Sequence, residues 1–138
     1  MKIFQIVVLS LSGLALFYAC SMRLISPSGA VFLQSYFENP TNSLTNHIDL
    51  ANEIRGVGAV MLLGAILALI AVFSPDLKPS AFLVLCIILG GVVLGRSLSF
   101  ILDGMPPADL LRAAVGEGVL AALNIFCLVR IWTQADIS

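Results

Sequence analysis

The chain has 138 residues, 59% of them hydrophobic and 11% charged, whereas a water-soluble domain carries about 45–50% apolar and roughly 25% charged residues; a water-facing surface cannot be built from this composition. Seven Lys and Arg against eight Asp and Glu give a formal net charge of −1, with the basic residues scattered singly, which excludes nucleic acid as a partner. A bilayer crossing takes about 20 apolar residues, so four crossings and their connections use nearly the whole length and leave no room for a soluble catalytic domain.

The first apolar run, residues 3–21, lies between Lys2 and Arg23. Met-Lys before an apolar stretch is also how a signal peptide opens, and Phe17-Tyr18-Ala19-Cys20 resembles a lipoprotein cleavage box, but the bulky Phe17 and Tyr18 fit that box poorly and an uncleaved helix is expected. Residues 22–52 read as the one long loop, with turn-forming clusters at Pro27-Ser28-Gly29 and Asn39-Pro40-Thr41-Asn42-Ser43 and interfacial residues such as Tyr36 and Phe37 between them. The second span, residues 54–73, is entered through Thr45 or Asn46 as N-cap and stopped by Ser74-Pro75. The third, residues 81–102, ends at Asp103-Gly104-Met105-Pro106-Pro107, and the fourth, residues 109–132, closes on the interfacial anchors Arg130 and Trp132.

Apolar runs of this length satisfy their backbone polar groups in lipid as α-helices, and the alternating ten-residue strands of a barrel are absent. The expected fold is all-α: a single integral-membrane four-helix bundle, residues 1–138, with antiparallel neighbouring helices. Helices in lipid associate through small residues at intervals of four; Gly64 and Ala68, Gly91 and Gly95, and Ala114, Gly118 and Ala122 supply such stripes. Cys20, Cys86 and Cys127 lie in apolar stretches without metal-ligand spacing and read as packing residues, Cys86 and Cys127 in the same leaflet.

Alternating helix direction puts Arg23, Glu38, His47, Asp49, Glu53, Arg55, Arg96, Asp103, Asp109, Arg112 and Glu117 on one side of the membrane, against Lys2, Asp76, Lys78, Arg130 and Asp136 on the other. Any chemistry is expected on the first side. Arg23, Asp103, Asp109 and Arg112 flank spans and need no function. Arg96 sits roughly 8–9 Å inside the third helix, and the short side chain of Glu117, between Gly116 and Gly118, reaches water poorly. Arg96, Phe100 and Asp103 share one face of the third helix, and Ala113, Glu117, Ala121 and Asn124 one face of the fourth. A pairing of Arg96 with Glu117 is therefore natural, and Glu53 with Arg55 completes a net-neutral group of four; Ser97, Ser99 and Asn124 add neutral hydrogen-bonding groups. Two readings stay open: an intramembrane polar pocket in one leaflet, or an ion-pair network that only fixes helix register.

Asn52-Glu53-Ile54-Arg55-Gly56, Gly95-Arg96-Ser97-Leu98-Ser99, Asp103-Gly104-Met105-Pro106 and Glu117 resemble a family of small four-helix bacterial membrane proteins described as a domain of unknown function, the likeness running from the second span to the end. More remotely the chain is similar to DoxX-like membrane proteins, some of which accompany redox enzymes. The resemblance implies a multi-pass protein of the bacterial inner membrane and carries no activity with it.

No motif supports an enzyme: His47 is a lone histidine, no nucleophile has an adjacent base, and no metal or cofactor site is expected. The expected function is non-enzymatic. It is either the binding of a lipid-like or quinone-like molecule by a cluster drawn from Glu53, Arg55, Arg96, Ser97, Asp103, Glu117 and Asn124, or an accessory role in a larger membrane complex. The alternative is a component of a redox-linked or proton-handling membrane enzyme that uses the Arg96/Glu117 pair. Positive charge does not orient the chain, since Lys2, Lys78 and Arg130 balance Arg23, Arg55 and Arg112; the turn-rich loop points to the periplasm.

Overall fold

A computed structural model describes residues 2–26, 48–106 and 108–135. Helices α1 (Lys2–Ile25), α2 (Ile48–Phe73), α3 (Lys78–Leu102) and α4 (Ala108–Ala135) account for nearly all of them, with a 3-10 turn at Pro75–Leu77 between α2 and α3. All four are long and apolar enough to cross a membrane. At 1.5 Å per residue, helices of 24 to 28 residues run roughly 36–42 Å, longer than a hydrocarbon core of about 30 Å, so their ends stand among headgroups.

Those extra turns are where the expected spans fall short. Helix α1 continues past residue 21 through Arg23 to Ile25, and α2 begins at Ile48 with Asp49 in its first turn, where a carboxylate complements the helix dipole. The Thr45 or Asn46 cap, Glu38, His47 and Asp136 lie outside the described residues. Helix α3 ends as the motif suggests: Asp103 N–H donates to Ser99 O at 2.7 Å, Gly104 takes φ +95°, and Pro106 follows. A left-handed residue here favours glycine because any side chain would meet the next carbonyl.

The register is antiparallel throughout. Gly13 of α1 faces Leu69 and Ala65 of α2, and Gly58 of α2 faces Cys20 and Arg23 of α1; Gly64 packs on Ile88 and Val84 of α3. Helices α1 and α4 close the ring: Asn124 Nδ2 donates to Ser12 Oγ at 2.8 Å, and the Phe4 and Phe126 rings meet edge-on at 6.1 Å. The buried face of α2 is nearly all small, with Gly58, Gly64, Ala65, Ala68 and Ala71, so the backbones of its neighbours approach closely. Larger core groups, Phe82, Leu85 and Leu89, come from α3. Many other large apolar side chains, Ile3, Phe73 and Ile101 among them, point outward, as lipid allows.

Two of the three expected small-residue stripes do not mark contacts. Gly64 and Ala68 are buried, but a Cβ on Gly91, Gly95 or Gly118 would meet nothing within 4 Å. Gly91 instead borders the α2–α3 seam, and Gly95 is exposed. Cys20, Cys86 and Cys127 are free thiols, Cys20 and Cys127 buried.

Candidate functional site

Arg96 and Glu117 meet as expected. Arg96 Nη2 donates to Glu117 Oε1 at 3.0 Å and Nε lies 2.6 Å from Oε2, a forked contact between two side chains each only 16% exposed. The guanidinium plane matches the two carboxylate oxygens, which is why arginine suits this position better than lysine. Arg96 is six residues from the end of α3 and Glu117 nine from the start of α4, so the pair is roughly 9–13 Å deep along the helices.

The other half of the group of four is assembled differently. Residues two apart on a helix do not share a face, and Arg55 turns away from Glu53: its Nε donates to Leu24 O at 3.3 Å, satisfying a carbonyl in the last turn of α1. The cation that lines a cavity with Glu53 is Arg23, treated above as a span-flanking charge. It reaches between α1 and α2, where its Nη1 lies 3.3 Å from Met61 Sδ, and it lines the same cavity as Glu53. Close passage of α1 over Gly58, whose Cβ would fall 3.1 Å from Arg23 Cβ, brings it there. Two charged sets thus stand toward this end of the bundle: the Arg96–Glu117 pair between α3 and α4, and Arg23 with Glu53 on the wall of one cavity.

Three further candidates lie outside this group. Ser97, adjacent to Arg96 and so turned about 100° from it, bonds back to Val93 O at 2.8 Å. Asp103 accepts from Ser99 Oγ at 2.7 Å and closes its own helix. Asn124 is fully buried two turns deeper, with Nδ2 on Ser12 Oγ and Leu120 O, and its Oδ1 meets no donor among the described residues. Asp109 and Arg112 pair with each other at 3.1 Å on an exposed turn.

Beside the charged group runs a groove between α2 and α3. Its main part, about 550 Å³, has Asn52 and Glu53 at one end and Val57, Val60 and Ile88 along its length. Gly56 and Gly91 form part of its walls, and a Cβ at either would meet nothing within 4 Å. A lobe of about 270 Å³ shares Glu53 and Met61 and takes in Arg23. A third lobe, about 390 Å³, shares Val60 and Ile88 and extends to Leu67 and Val84. From Asn52 to Leu67 the seam runs roughly 22 Å along α2. It changes from charged to wholly apolar along that path. Arg96 stands one turn beyond Val92, which lines the main part. Among the described residues no group of three His, Cys, Asp or Glu is placed to hold a metal ion.

A family model for a domain of unknown function, DUF4345, matches residues 3–128. The chain belongs to this family. The match takes in the first span and the loop, which the motif resemblance did not reach, as well as all four charged residues of the site. No curated protein and no solved structure matches the chain.

Proposed function

We propose that this member of the family is a non-enzymatic protein of the bacterial inner membrane that holds one lipid-like or quinone-like molecule in the α2–α3 groove. The observation that carries the reading is the groove's gradient. Arg23, Asn52 and Glu53 stand at one end, and Val60, Leu63 and Leu67 line the other, with missing side chains at Gly56 and Gly91 leaving the space. An amphipathic molecule matches that profile: its head meets charge near the helix ends and its chain lies along apolar walls. The Arg96–Glu117 pair holds α3 against α4 and lends its electrostatic field to the polar end.

Gly91→Leu fills the groove from a position where a Cβ meets nothing, so the fold tolerates it. Solvent extraction of protein purified in mild detergent, followed by mass spectrometry, is expected to recover a stoichiometric lipid or isoprenoid from the wild type and a severalfold smaller amount from Gly91→Leu. Equal lipid content in both would contradict the reading. A quinone among the extracted species would direct the same site toward redox-linked or proton-handling work with a membrane enzyme.

A second reading rests on Gly95. It is exposed, has nothing within 4 Å of its Cβ position, and lies one turn from Gly91, a spacing that suits a docking helix of a larger membrane complex. Gly95→Leu would weaken such a complex while leaving extracted lipid unchanged.

A further inference from the structure

At the opposite end of the bundle a separate cavity of about 220 Å³ is walled by Lys2 and Gln5 of α1, Pro75, Lys78 and Pro79 at the start of α3, and Ile131 of α4. Gln5 is the unusual member. It is only 7% exposed, yet no described residue hydrogen-bonds its side chain. Its carboxamide opens onto the cavity, whose wall also includes Lys2 and Lys78. Helix α1 opens at this end, whereas at the start of α3 the Lys78 N–H is already bonded to Pro75 O and Pro79 has no N–H, so the positive character here comes chiefly from the two lysines. The charges that oppose them stand outside the wall: Asp76 is exposed on the adjoining turn, and α4 runs on to Ala135, a turn beyond Ile131.

We propose that this cavity binds a phosphate oxyanion at the membrane surface, with Lys2 and Lys78 supplying charge and the Gln5 amide N–H groups donating to the oxygens. A phosphate of this kind comes either from the headgroup of an anionic phospholipid or from free phosphate in the adjoining water. The apolar flank of Ile131, Pro75 and Pro79 suits the glycerol side of a headgroup.

Native mass spectrometry of the full chain in mild detergent, titrated with short-chain phosphatidylglycerol, phosphatidylcholine or inorganic phosphate, tests this. One phosphatidylglycerol is expected to bind at least about tenfold more tightly than phosphatidylcholine. Lys2→Gln with Lys78→Gln should weaken it roughly 30-fold, as expected for two lysines near a membrane surface. Gln5→Glu, which puts a carboxylate against the anion, should weaken it too; if that variant loses its helix content, the lysine pair decides alone. Gly91→Leu, in the other groove, should leave phosphatidylglycerol binding unchanged, so the two sites fail separately. Competition by inorganic phosphate assigns the site to free anion, and its absence assigns the site to a lipid headgroup. Equal binding of the two lipids, no binding of phosphatidylglycerol, or full binding by the lysine double variant would overturn the proposal.

Discussion

An arginine and a glutamate persist at this depth because each neutralises the other. A lone charge near a helix centre costs on the order of 2.5–3.5 kcal/mol on insertion scales, and breaking a buried pair by removing one partner costs roughly 3–5 kcal/mol. Arg96→Gln and Glu117→Gln should therefore each lower stability by about that much, and the double variant should recover part of the loss. Thermal melts in detergent check this, and additive losses would show that the two side chains do not depend on each other. This pair was legible in the sequence because an i, i+4, i+7 face on each of two consecutive antiparallel helices left few alternatives. The cation that shares a cavity wall with Glu53 was not. Arg55 lies close in sequence but on another face, while Arg23 belongs to a helix turn whose polarity made it read as loop.

At the scale of helices, the same residue type has opposite roles at different positions. Gly64 packs directly on Ile88, whereas Gly91 faces open space. Gly64→Leu should destabilise the protein by about 1–3 kcal/mol through overpacking, while Gly91→Leu should leave the melting temperature nearly unchanged. Comparable melts for the two variants would contradict the packing described. Spacing by four could not separate them, since a stripe of small residues records where a close approach is permitted and not where one occurs. The four apolar runs themselves were plain from length and hydrophobicity. Their ends were not, because Met22–Ile25 and Ile48–Glu53 mix polar and apolar residues where helices leave the hydrocarbon, and there the hydrophobic signal fades while the helix continues.

For the whole molecule, α1 packs most extensively on α2 and α3 on α4, and the two hairpins meet along a looser α2–α3 seam. That seam holds the groove, lined at its polar end by Arg23 and Glu53 and continuing down to Leu67 and Val84. A groove of this kind is invisible to a reading of side chains along a sequence, because Gly56 and Gly91 make it by what they lack. Photolabelling of the reconstituted protein with a phospholipid bearing a diazirine on its acyl chain, followed by peptide mapping, addresses the groove most directly. Labelling concentrated on Val57, Val60, Ile88 and Val92 and lost in Gly91→Leu is the expected result. Labels spread evenly over lipid-facing positions such as Ile3, Leu94 and Val115, with no change in that variant, would contradict the account.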